Sequence, residues 1–173
     1  FILSIFIAAS CSKPLDGHYK NYRENGTIET INFYENGILK NKEYYSPESI
    51  LLRIDFFEES IVYKSKYFDQ NGNIIQKDNL KEGHLYLSEY YYNNGSLKQI
   101  KTFEKGVAIK NEFYEEDGRL IQTILLEDGA YSMIKLFDEN EVLKQAITYK
   151  SGSYNNVKIY YGNGMIKQEI LYD

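Results

Sequence analysis

The sequence has no tryptophan, one cysteine, two histidines, two prolines and two methionines in 173 residues. These shortages exclude classes of chemistry. A single cysteine, Cys11, allows no internal disulfide, and two histidines leave little material for a zinc site or for Cys/His or Ser/His/Asp nucleophilic catalysis. Basic residues are also in the minority, 20 Lys+Arg against 25 Asp+Glu for a formal charge of -5, so the basic footprint of a general nucleic-acid binder is missing. With 43% hydrophobic and 26% charged residues, the chain has the composition of a folded protein rather than a disordered or collagen-like one. One structural unit is expected. What it has in excess is tyrosine and phenylalanine, 18 and 9 residues, and both favour strands.

The first ten residues, Phe1 to Ser10, are apolar and uncharged, too short to span a bilayer as a helix, and end in small residues before Cys11. That is the pattern of a signal-peptide core and cleavage site, here truncated at its start. Ala9-Ser10-Cys11 resembles a bacterial lipobox, with Ala8 where leucine is usual. Residues 1–10 are therefore expected to be a signal peptide, and residues 11–18 a lipidated cysteine and its tether. The expected address is the bacterial cell envelope, at the outer membrane or cell surface, held through lipid on Cys11.

Internal repeats organise the rest. Gly26, Ser49, Gly72, Gly95, Gly118, Glu141 and Gly164 stand 23 residues apart, and a second series, Gly37, Ser60, Gly83, Gly106, Gly129 and Gly152, runs between them at the same period. Thirteen turns and up to fourteen strands follow from this spacing. Gly26, Gly37, Gly72, Gly95, Gly118 and Gly164 are the principal expected turn glycines. An aromatic stands four residues before each first-series point (Tyr22, Tyr45, Phe68, Tyr91, Tyr114, Phe137, Tyr160) and an aliphatic two after it (Ile28, Leu51, Ile74, Leu97, Leu120, Leu143, Ile166). For these partners to share a face, the loop must have three residues, with a type I turn and the glycine in the left-handed region. A two-residue loop would place Tyr22 opposite Glu29. The second series lacks a regular Asn before its glycines and is expected to use more varied turns. Segments between turns are too short for helices, so the fold class expected is all-β: an elongated, twisted antiparallel meander of stacked hairpins in a single-layer sheet, covering 19–173 in about seven repeats.

The pattern Tyr-x-x-Asn-Gly-x-Ile/Leu, as in Tyr22-Arg-Glu-Asn-Gly-Thr-Ile28 and Tyr91-Tyr-Asn-Asn-Gly-Ser-Leu97, resembles the variant MORN repeats of bacterial proteins, including those labelled YwqK-family antitoxins. The resemblance implies stacked hairpins with roles in scaffolding, membrane association or protein contact. Where that family often carries Asn-Gly-Lys-x-x-Gly at the second turn, this chain has Lys-Gly-Val, Asp-Gly-Ala and Ser-Gly-Ser, and 49–60 has neither glycine.

A functional feature of a repeat protein should form a column. The candidate binding surface is the aromatic column Tyr44, Tyr67, Tyr90 and Phe113, expected to be exposed, together with the amide column Gln76, Gln99, Gln122 and Gln145. Packing between hairpins is the competing use of the rings, and register-keeping that of the amides. A third column, Glu43, Lys66, Glu89, Glu112, Lys135 and Lys158, is charged throughout and marks a wet face. The acids before the turns have no calcium-loop spacing and read as solvated turns. No metal or cofactor is expected, and a flat sheet offers no pocket in which to tune a catalytic acid, so the chain is expected not to be an enzyme. The function these features suggest is a non-catalytic envelope lipoprotein whose extended sheet contacts an envelope or surface protein; binding of glycan or peptidoglycan through the aromatic columns is the alternative.

Overall fold

The alternation of turn points every 11 or 12 residues leaves room for strands of about eight residues between them, and the computed structural model of the chain, which describes residues 16–172, shows them. The strands are β1 (Gly17–Tyr22), β2 (Ile28–Glu35), β3 (Ile38–Tyr45), β4 (Leu51–Glu58), β5 (Ile61–Phe68), β6 (Ile74–Lys81) and β7 (His84–Tyr91). They continue as β8 (Leu97–Glu104), β9 (Val107–Tyr114), β10 (Leu120–Glu127), β11 (Ala130–Phe137), β12 (Leu143–Lys150), β13 (Ser153–Tyr160) and β14 (Ile166–Leu171). All fourteen form one antiparallel sheet in sequence order, and it does not close: β1 and β14 are its two edges. The expected all-β meander is thus what the chain adopts. The expected signal peptide and Cys11 lie outside the described residues. Within the range expected for the tether, 11–18, the described residues Gly17 and His18 belong to β1: Gly17 pairs with Tyr34, and the ring of His18 lies 4.9 Å from that of Phe33.

The two series of turns have different geometries for a local reason. In the first series the aromatic pairs with the aliphatic in every repeat, Tyr22 with Ile28 through Tyr160 with Ile166. Between them, Arg23 N–H donates to Thr27 O at 2.8 Å and Gly26 N–H to Arg23 O at 2.9 Å, which closes a three-residue loop with Gly26 at φ 81°. This is the loop the pairing argument requires. Its asparagines do not take positive φ; instead Asn25 and Asn94 accept the backbone N–H of Thr27 and Ser96, at 3.1 and 2.9 Å, as Asx turns.

The second series is not varied, contrary to expectation. Asn36-Gly37, Glu59-Ser60, Glu82-Gly83, Lys105-Gly106, Asp128-Gly129 and Ser151-Gly152 are all two-residue turns with both residues at positive φ, as type I′ requires. Strand twist selects this turn and overrides side-chain preference, so Glu, Lys, Asp and Ser are held near φ 50° where Asn would sit more easily.

Ser49 and Ser60, at φ 64° and 68°, occupy left-handed positions that are glycine in most repeats. Ser49→Gly and Ser60→Gly are each expected to stabilise by about 0.5–1 kcal/mol, the steric relief less the backbone entropy of glycine. The midpoint of chemical denaturation reads this. Glu141→Gly should be closer to neutral despite the same geometry, since Glu141 Oε1 accepts the Leu120 N–H at 2.9 Å and that strut would be lost.

Candidate interaction face

Side chains directly opposite one another on antiparallel strands share a face. Followed strand by strand, the pairing sets Tyr44 opposite Arg53, Arg53 opposite Tyr67, Tyr67 opposite Gln76, Gln76 opposite Tyr90, Tyr90 opposite Gln99, Gln99 opposite Phe113 and Phe113 opposite Gln122. The row ends Leu136, Gln145, Ile159, Gln168. The aromatic and amide columns are therefore one row on one face, with rings on odd strands and amides on even ones. Spacing by 23 hides this because the two columns stand 9 residues apart in sequence, across a bulge at Ile75 that shifts the register between Tyr67 and Phe68.

The rings of this row are half-buried, not exposed as expected, nor do they stack on one another. Flat groups and cations lie between them. The Arg53 guanidinium sits 4.1 Å from the Tyr44 ring centre, the Lys42 ammonium 4.9 Å from the same ring, and the Lys101 ammonium 5.2 Å from that of Tyr90. Each such contact is worth about 0.5–1 kcal/mol at a partly exposed site. Burial, and after it the charge of Asp78, pushes the Tyr67 hydroxyl above the ordinary tyrosine range.

A second row on the same face runs Lys42, Asp55, Ser65, Asp78, Ser88, Lys101, Asn111 and then turns aliphatic as Ile124, Ile134, Ile147, Val157, Ile170. It holds most of the buried residues of the sheet, Thr30 and Thr123 lying outside it. Asp55 and Ser65 are 5% exposed, Asp78 8%, Ser88 1% and Val157 7%. A single layer can bury them because they are short and stand beside taller rings two positions away on the same strand and face, Ser65 beside Tyr67 and Ser88 beside Tyr90. The carboxylates are satisfied. Ser65 Oγ donates to Asp55 Oδ1 and Ser88 Oγ to Asp78 Oδ1, both at 2.7 Å; Gln76 Nε2 donates to Asp78 at 2.9 Å, and Arg53 pairs with Asp55 at 3.0 Å. Gln76 is thus a structural donor as well as a candidate contact.

The charged column Glu43, Lys66, Glu89, Glu112, Lys135 and Lys158 lies on the opposite face. It is half-buried rather than wet, since aliphatic Ile31, Ile54 and Ile100 alternate with the charges across the strands. There the Tyr45 hydroxyl donates to Glu43 Oε2 at 2.6 Å; burial first, then that hydrogen bond and charge, push it up to about 12. At the first-series turns, struts join neighbouring repeats: Arg23 reaches the carbonyls of Ile28, Tyr45 and Ser46, and the Tyr92 hydroxyl donates to Tyr114 O at 2.8 Å. Gly26, Gly72, Gly95, Gly118 and Gly164 sit in these turns at φ between 81° and 91°, and Gly37 in its type I′ turn at 67°.

Among the described residues, no three or more His, Cys, Asp or Glu side chains are arranged to hold a metal ion. A depression of about 620 Å³, lined by Ile38, Phe56, Phe57 and Tyr63 beside Glu58 and Glu59, is open to solvent near the type I′ edge.

The family model described as MORN repeat variant matches residues 87–105 and 154–173. The first of these runs from Leu87 in β7 through the three-residue turn and β8, and includes the motif from Tyr91 to Leu97. No curated protein matches the chain. Among solved structures, a GtfA/B complex bound to UDP and GlcNAc is similar at 13% identity over 56% of this chain and 22% of that one, with a TM-score of 0.46. The glycosylation-associated Gap123 complex from Streptococcus agalactiae is similar at 18% over 61% and 20%, with a TM-score of 0.46. A mutant of S. aureus TarM in complex with fondaparinux, alpha-GlcNAc-glycerol and UDP is similar at 13% over 60% and 21%, with a TM-score of 0.48. The chain spans about a fifth of the length of each. What the pairing and the family match establish together is a repeat protein: one open sheet of stacked hairpins carrying MORN repeat variants at 87–105 and 154–173.

Proposed function

We propose that the chain is a non-catalytic bacterial lipoprotein, anchored in the cell envelope by lipid on Cys11, which presents the tyrosine and glutamine face of its sheet to an envelope or surface protein. The observation that carries this reading is the merging of the two columns into one row. Half-exposed rings alternate with flat polar groups, Arg53 on β4 and then glutamine amides, over the eight strands from β3 to β10, an arrangement that offers flat apolar contact and hydrogen-bonding groups at the spacing of a sheet. The sequence of residues 1–11 supports the address, and the expectation of a lipid anchor rests on it.

Two measurements test the reading. Mass spectrometry of the full chain from cells should find acyl chains on Cys11, and Cys11→Ser should move the chain out of the membrane fraction; an unmodified Cys11 would end the anchor proposal. Cross-linking in intact cells should then capture a defined protein with the native chain and not with Tyr44→Ser, Tyr67→Ser and Tyr90→Ser combined. Because those rings also pack, a second variant with Gln99→Lys, Gln122→Lys and Gln145→Lys leaves them in place and should lose the same partner. Capture unaffected by both variants would remove the row from the interface; co-purified glycan in place of protein would favour the carbohydrate reading.

A further inference from the structure

The sheet ends at two strands whose outer edges differ in kind. β1 is an odd strand and β14 an even one, so the outer edge of β14 has the same place in the repeat as the outer edge of β2, which pairs with β3. The register of that junction is known: Thr30 opposite Tyr44, Ile31 opposite Glu43, Asn32 opposite Lys42 and Phe33 opposite Asn41. Six repeats on from Thr30 stands Gln168, and one repeat back from Tyr44 stands Asn21. The same register therefore sets Gln168 against Asn21 of another copy, Glu169 against Lys20, Ile170 against Tyr19 and Leu171 against His18.

These four pairs match in chemistry. An amide meets an amide, a carboxylate meets an ammonium, and aliphatic side chains meet rings. From the structure we infer that two copies of this chain join head to tail, β14 of one pairing with β1 of the next, so that the sheet continues through the junction. Charge supports it independently of the interaction face. Lys158 and Glu169 are already paired at 3.4 Å, and Lys20 of the next copy extends the series to cation, anion, cation. Neither edge carries a proline, the residue natural sheets commonly place there against such pairing. A junction of this kind is heterologous, and it leaves one open β1 and one open β14 after each addition, so association extends beyond dimers.

The test uses full-length chain in a Cys11→Ser background. Sedimentation velocity should show a mean mass that rises with concentration past that of a dimer. Lys20→Glu alone, on an exposed side chain at the end of the charged row, should weaken association at least about tenfold, since it sets like charges opposite one another. Glu169→Lys alone should do the same, and an equimolar mixture of the two variants should recover association, because Glu at 20 then meets Lys at 169 in the other copy. Where Glu169→Lys frays β14, paired cysteines decide instead. Asn21→Cys with Gln168→Cys should give a ladder of oxidised multimers, and either substitution alone only monomer. A dimer from one cysteine alone would show like edges pairing and overturn the head-to-tail register, as would a chain that stays monomeric throughout.

Discussion

Val157→Asp is expected to release the last hairpin, β13 and β14, from the sheet. Val157 is 7% exposed, and its cross-strand neighbours in the buried row are Ile147 and Ile170, neither of which can donate to a carboxylate. An unpaired buried charge costs on the order of 3–5 kcal/mol. In a quasi-one-dimensional array, that loss is limited to the cost of fraying the end, because each hairpin touches only its neighbours. Amide exchange should therefore accelerate across 153–172 and leave β5 to β8 unchanged. The effect should also depend on pH. A buried aspartate has its folded-state pKa raised by desolvation, so the stability of the variant is greatest below the unfolded value near 4 and is lost as pH rises through the folded value. Equal exchange rates at pH 4 and pH 7, after correction for intrinsic chemistry, would mean that polarity or shape is responsible rather than charge.

The same row tolerates aspartate at its other end, and the reason is testable. Asp78→Ala leaves the Ser88 hydroxyl, in a residue 1% exposed, without its acceptor, and removes a charge-assisted bond from Gln76. A cost of about 2–3 kcal/mol is expected, centred on β6 and β7. Replacing both partners by what the aliphatic half of the row carries, Asp78→Ile with Ser88→Val, should recover stability to within about 1 kcal/mol of the parent, because the buried hydroxyl that lost its acceptor is gone and the half-buried Gln76 amide turns to water. Denaturation midpoints of Asp78→Ile alone and Ser88→Val alone, beside the double variant and the parent, close the cycle. A double variant no better than Asp78→Ala would show that the polar pair performs a packing role that larger aliphatics cannot take over, and that the tyrosines above it leave no room.

The turns show how far local reasoning reaches. That Tyr22 faces Ile28 followed from the loop length needed to put a ring and an aliphatic on one face, a constraint within seven residues of chain. Counting glycines at a fixed period placed every strand for the same reason. The second-series turns escaped because preference for Asn-Gly is a statement about single residues, whereas the twist of the flanking strands acts on the whole loop and imposes type I′ on Glu59-Ser60 and Lys105-Gly106 alike. Exposure of Tyr44, Tyr67, Tyr90 and Phe113 was misjudged for a similar reason. Cover for Tyr44 and Tyr90 comes in part from Arg53 and Lys101, each on the strand next to the ring, with Lys42 adding to Tyr44 from two positions away on its own strand.

By itself, then, the sequence determined the period, the number and direction of the strands, the turn positions and the antiparallel meander, all of which follow from interactions between residues fewer than a dozen apart. Only the tertiary structure decided which residues lie side by side. A bulge at each hairpin shifts the pairing by one residue, so columns that look separate at a spacing of 23 fall into one row, Tyr67 beside Gln76 and Gln76 beside Tyr90. It also decided where the buried row sits and that its polar half, Asp55, Ser65, Asp78 and Ser88, is closed on itself by hydrogen bonds. Burial in a single layer depends on the height of neighbouring side chains across several strands, a property that no one strand contains.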